Sequence, residues 1–141
     1  MKRRFQDKVV WKTGGVSGIG RAKAHEIASQ VAPVSVSGRR QERIAQAVVC
    51  DVSSEDAVAE AGSQVFEEFG RLDVAVANAG FGVAGTVETL SAEDWRRQFD
   101  VNVVGAALTA KHALAHLRET KGRVVLIGSV AGVVSAPGYS A

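Results

Sequence analysis

Short β-branched apolar runs alternate along this chain with longer stretches of helical periodicity. Val9-Val10-Trp11 opens the series and a glycine-rich segment, Gly14 to Gly20, follows at once. A helix is expected from about Ile19 to Gln30, stopped by Pro33, which cannot continue one. Val34-Ser35-Val36-Ser37 reads as the second strand and Ala47-Val48-Val49-Cys50 as the third. Ser53 and Asp56 have the S-x-x-D spacing of a helix start, and Gly70 marks that helix's end. Leu72 to Ala77 is the fourth strand. Ser91 and Asp94 cap a long helix reaching to about Arg118, and Val124-Val125-Leu126-Ile127 is the fifth strand. Strand–helix alternation of this kind predicts a parallel sheet made of βαβ units. No repeat, low-complexity stretch or linker divides the chain, so the expectation is one doubly wound α/β domain over residues 1–141.

Composition narrows the classes. At 141 residues there is room for one real core. Seventeen Lys and Arg against fifteen Asp and Glu leave a net charge of +2 with no block of either sign, so nucleic acid is not an expected partner. One cysteine, Cys50, excludes an internal disulfide and suits a reduced, cytoplasmic setting. Lys2-Arg3-Arg4 is followed by Phe5-Gln6-Asp7 rather than an apolar run, unlike a secretory signal, and no stretch nears the roughly 18 apolar residues of a membrane span. His112 and His116 stand at i, i+4, a metal-compatible spacing, but no third ligand lies near them in sequence, and no metal is expected. His25 reads as a surface helix residue.

The chemistry begins at Thr13-Gly14-Gly15-Val16-Ser17-Gly18-Ile19-Gly20, a G-x-x-x-G-x-G spacing between a predicted strand and a predicted helix. Glycine there admits positive φ and lets a pyrophosphate approach the backbone, while the helix N-terminus supplies N–H groups and a positive dipole end. An ordinary strand-to-helix turn is the plain alternative. No lysine follows the last glycine, so the segment is not a P-loop.

Four further motifs follow in a telling order: Asp51-Val52 after the third strand, Asn78-Ala79-Gly80 after the fourth, Asp100-Val101-Asn102 on the long helix, and Gly128-Ser129-Val130-Ala131-Gly132 after the fifth. With the glycine loop they give the whole chain a strong resemblance to the short-chain dehydrogenase/reductase family. The resemblance implies a Rossmann-like sheet of about five strands in the order 3-2-1-4-5. It implies a nicotinamide cofactor held by Thr13, Gly14, Ser17, Gly18, Ile19 and Gly20, with Asp51 and Val52 at the adenine and Asn78, Ala79 and Gly80 beside the cofactor. Ser129 would be the catalytic serine that hydrogen-bonds a substrate carbonyl, and Asn102 the catalytic asparagine that positions a proton-relaying water. Each residue also has a plain reading: a turn-forming Asp51, a satisfied helical Asn102, a small Ser129 at a strand end.

An acidic residue at the end of the second strand favours NAD, and a basic neighbourhood there accommodates the 2′-phosphate of NADP. This strand ends Ser37-Gly38-Arg39-Arg40, which resembles the family's NADP-preferring pattern. Arg39 is the expected phosphate contact, since a guanidinium binds phosphate through two hydrogen bonds. Arg40 is its helper, and NADP is expected ahead of NAD.

The family completes its chemistry with a Y-x-x-x-K pair. The usual spacing from Ser129 points just past Ala141; Tyr139-Ser140-Ala141 looks locally like the start of the motif, but a lysine four positions on lies outside residues 1–141. Other departures are Lys12 in the first strand, Val31 after the first helix, and only nine residues between Ser37 and Ala47, short of the roughly 10–12 of a helical crossover. The expectation is a truncated or internally shortened family member, inactive as it stands, with an apolar fifth strand left as a sheet edge. Two function classes stay open: an NADP(H)-dependent oxidoreductase acting on a carbonyl or secondary alcohol, and a non-catalytic cofactor-binding or self-associating module. In the family the helix equivalent to Ser91–Arg118 commonly packs against a second subunit, so a homo-oligomer through it is also an expectation.

Overall fold

The computed structural model describes residues 7–14, 34–37, 47–134 and 137–138. Five strands, β1 (Val10–Thr13), β2 (Val34–Ser37), β3 (Ala47–Val48), β4 (Val74–Ala77) and β5 (Arg123–Leu126), form one sheet in the order β3-β2-β1-β4-β5. Every pairing is parallel. The doubly wound order expected from sequence is therefore the observed one. β3 pairs with β2 over only two positions, Val36 with Ala47 and Ser37 with Val48, and stops before Val49. That strand is shorter than its apolar run, and Cys50 is buried beyond its end.

Among the described residues there are three α-helices: α1 (Glu55–Phe69), α2 (Ala92–Phe99) and α3 (Gly105–Thr120). The α1 start corrects the sequence reading by one residue. Asp51 Oδ1 accepts hydrogen bonds from both the Ser53 N–H, at 3.1 Å, and the Ser53 hydroxyl, at 2.8 Å. With Ser53 spent on that turn, the cap falls to Ser54, whose hydroxyl oxygen accepts from Ala57 N–H at 3.4 Å. Gly70 ends the helix in the left-handed conformation, φ 65°. Ser91 and Asp94 form the expected capping box.

The long helix expected from Ser91 to Arg118 is not uniform. Between α2 and α3 the residues Asp100–Val104 are wound as a π-helix, and Gly105 N–H donates to Asp100 C=O, five residues back. The helical path then runs to Thr120 and closes on Lys121 in the left-handed conformation. Periodicity at 3.6 cannot reveal one widened turn, because it reports that a stretch is helical and not which carbonyl each N–H reaches.

α1 and α3 lie together against the sheet around a fully buried Trp11. A Cβ on Gly62 of α1 would come within 3.4 Å of the Trp11 ring, so the small residue sets how closely the helix approaches β1. Val58, Val65, Leu72 and Leu117 complete this side of the core. Lys12 is buried at 2% exposure, as its place in β1 implied, and it is not left without an interacting partner. β5 is an edge of the described sheet, with Leu126 64% and Ile127 53% exposed.

At the amino ends of β1 and β4 a charged hub joins the two strands. The Asp73 carboxylate accepts from Lys8 Nζ, Val9 N–H and both Nε and Nη2 of Arg71, all at 2.8 to 2.9 Å. Burial pushes its pKa up, but these donors outweigh burial and bring the carboxyl down to about 2.

Candidate active site

In an open parallel sheet, ligands bind beyond the carboxyl ends of the strands where the strand order reverses. Here that point lies between β1 and β4. β1 turns away at Gly14, φ 66°, directly over the segment that leaves β4: a Cβ on Gly14 would lie 2.6 Å from Ala79 Cα. Asn78 Nδ2 donates to the carbonyls of Thr13, at 3.1 Å, and Gly14, at 3.0 Å. The Thr13 hydroxyl oxygen accepts from Asn78 N–H at 3.1 Å and Ala79 N–H at 3.4 Å, and the same hydroxyl donates to Val76 C=O. Thr13, Gly14, Asn78 and Ala79 thus form one hydrogen-bonded clasp, four of the sequence-predicted site residues brought together by the structure.

The next residues run past the π-helix. Asn102, in its middle, accepts from Phe81 N–H at 3.0 Å through Oδ1 and donates to Phe81 C=O at 2.8 Å through Nδ2. A Cβ on Gly80 would sit 3.1 Å from Asn102 Oδ1, so a residue without a side chain suits that crossing. The Asn102 carboxamide is therefore engaged with the loop at both its ends.

Ser129 follows β5 at the same end of the sheet. Pairing with β4 continues one residue past β5 through Ile127 N–H to Ala77 C=O, 3.0 Å, and carries Ser129 beyond the strand ends. Its hydroxyl is exposed and accepts from Ala131 N–H at 3.2 Å, capping the short 3-10 turn Val130–Gly132. A Cβ on Gly128 or Gly132 would meet nothing within 4 Å, so the backbone on either side is open. Farther on, Gly85 N–H donates to Gly138 C=O at 2.7 Å, which draws the residue before Tyr139 to the loop that follows β4.

This arrangement agrees with what known proteins show. The short chain dehydrogenase family model matches residues 8–141. The chain belongs to the short-chain dehydrogenase family. It is 36% identical, over 152 aligned positions, to a 3beta-hydroxysteroid dehydrogenase of Mediterraneibacter gnavus, covering 98% of this chain and 55% of that protein. It is 38% identical to the meso-2,3-butanediol dehydrogenase of Serratia marcescens, covering 92% of this chain and 56% of the relative. Among solved structures it superposes on the ligand-free aldohexose dehydrogenase of Thermoplasma acidophilum with TM-score 0.88 at 31% identity, over 96% of this chain and 54% of the other. The chain thus spans about half the length of the relatives it matches.

Several residues singled out in the sequence are engaged in structural contacts. Asp51 is exposed, yet one carboxylate oxygen is held by Ser53. Val52 is 5% exposed and faces α3, where a Cβ on Gly105 would come within 2.7 Å of its Cγ2 and 3.0 Å of its carbonyl oxygen, so the residue packs against that helix. His112 lies 3.3 Å from Glu55, and His116 stacks on Phe66 with ring centres 3.9 Å apart, so the two imidazoles face different partners. Ser17, Gly18, Ile19, Gly20, His25, Val31, Arg39, Arg40 and Tyr139 lie outside the described residues. No helix among the described residues is long and apolar enough to cross a membrane.

Sequence reading missed Gln98 and Asp73. Gln98 is a buried polar residue on an otherwise polar helix, and only its position one turn before Asn102 could have drawn notice.

Proposed function

We propose that residues 1–141 are the dinucleotide-binding part of an NADP(H)-dependent oxidoreductase that moves hydride between the cofactor and a carbonyl or secondary alcohol. The observation that carries this reading is the clasp at the strand-order reversal, where Gly14 crosses Ala79 with no room for a side chain. A dinucleotide fits such a crest, because the clasp fixes the start of the glycine segment at the strand-order reversal, and the glycines that follow would let phosphates come close to the backbone. Gly14, Ser17, Gly18, Ile19 and Gly20 would hold the pyrophosphate, and Arg39 would take the 2′-phosphate. Asp51 would accept from the adenine amino group, with Val52 beside it. Thr13, Asn78, Ala79 and Gly80 keep the crest in shape. Bound there, the nicotinamide supplies or accepts the hydride.

Ser129 has an exposed hydroxyl beyond β5, able to donate to a substrate carbonyl, and Asn102 would position a proton-relaying water. The family's Y-x-x-x-K pair is not complete within residues 1–141, so binding rather than turnover is what this stretch by itself is proposed to carry.

Titrating the chain with NADPH and NADH, read by energy transfer from Trp11 and Trp95 to the reduced nicotinamide, tests the proposal. Saturable binding favouring NADPH supports it; a folded chain that binds neither overturns it.

A further inference from the structure

The helix that carries Asn102 reaches the loop behind β4 with two carboxamides. Asn102 holds both the N–H and the C=O of Phe81. Gln98, four residues earlier, is 3% exposed and is the buried residue of α2. Its Oε1 accepts from Val83 N–H at 3.0 Å, and its Nε2 donates to the Asp94 carbonyl at 3.2 Å within the helix. A buried carboxamide is costly unless both of its ends are paired, and here both are.

Spacing explains why two such residues can act on one loop. Gln98 and Asn102 stand about one turn apart across the junction of α2 with the π-wound turn, and Phe81 and Val83 are two residues apart in the loop, a span of up to about 7 Å. Phe81 and Val83 can therefore meet Asn102 and Gln98 in a single register. Burial alone would be served equally well by leucine or methionine, which could not accept from Val83. The loop between them begins at Gly80, one residue after Ala79 meets Gly14, so its register is passed directly to the clasp.

We propose that Gln98 is a positioning residue: by holding Val83 it fixes the register in which Asn102 grips Phe81, and so sets Asn78 to Gly80 against Gly14. The consequence for ligand binding rests on the cofactor reading above; the consequence for the loop does not.

Two variants test it by amide hydrogen exchange and NADPH titration. Gln98→Met keeps length and burial but removes the acceptor. Exchange at both Val83 and Phe81 is expected to quicken at least tenfold and the NADPH dissociation constant to rise at least fivefold, with the Ala75 amide of β4 still protected. Gln98→Glu can accept from Val83 and donate to the Asp94 carbonyl only with its carboxyl protonated. It is therefore expected to preserve Phe81 protection and affinity at low pH and to lose both as the carboxyl ionises, and it carries the test if Gln98→Met loses Ala75 protection. Faster exchange confined to Val83, with Phe81 and affinity unchanged, would make Gln98 a local tie and overturn the proposal. Should the native chain bind neither dinucleotide, the cofactor reading fails, and exchange at Phe81 alone decides the role of Gln98.

Discussion

Gly14 and Ala79, sixty-five positions apart in sequence, meet so closely that a single methyl group on Gly14 would lie 2.6 Å from the Ala79 Cα. The contact joins the end of β1 to the end of β4 where the strand order reverses. Gly14→Ala is expected to meet backbone strain at φ 66° as well as this overlap. Strain of that kind alone costs about 1–3 kcal/mol, and urea unfolding should show at least that loss. NADPH affinity should fall with it. A Gly14→Ala chain of native stability would contradict the observed packing.

The opposite end of the same two strands depends on Asp73. Its carboxyl is held down at about 2, against an ordinary 3.8. The native state thus binds the proton less readily than the unfolded chain does. The resulting stabilisation is fully present above about pH 4 and is lost as pH falls from there towards 2. A depression of this size is worth about 2 kcal/mol at neutral pH. Asp73→Asn is expected to lose about that much and to flatten the acid limb of stability against pH, measured by denaturant titration between pH 2 and 7.

Cys50 is 2% exposed, and its thiol is pushed up to about 11, first by burial and then by the Asp51 charge. The nucleophile is the thiolate. Folded chain at pH 8 is therefore expected to react with a disulfide reagent at least a hundredfold more slowly than chain in denaturant. Equal rates would show that the Cys50 pocket opens freely.

Cofactor choice is expected to hang on Arg39. Arg39→Ala should weaken NADPH binding about tenfold or more, the scale of losing charge-assisted hydrogen bonds to a phosphate, and leave NADH binding within about twofold. Equal weakening of both would assign Arg39 a role other than reading the 2′-phosphate.

Much of the fold was legible because its signals are local. Each of the five strands is a short apolar run bounded by turn residues, and strand–helix alternation admits few topologies. The Ser91 and Asp94 capping box and the Gly70 stop depend only on neighbours within a few residues, and both are present as expected. The Ser53 cap was misplaced by one residue because a serine's hydroxyl can serve a turn as readily as a helix, and Asp51 claimed it.

The site divides along the same line. Sequence alone determined the strand–helix alternation, the family motifs and the residues worth watching, since each is written in contiguous residue types and spacings; the strand order followed from the family those motifs resemble. Only the tertiary structure decided what those residues touch. Nothing near Gly14 in sequence announces Ala79, and nothing near Asn102 announces Phe81. The π-wound turn at Asp100–Val104 and the buried Gln98 belong to the same class. A hydrogen bond is settled by distances of a few tenths of an ångström between segments far apart in the chain, and those distances exist only once the helices have packed on the sheet.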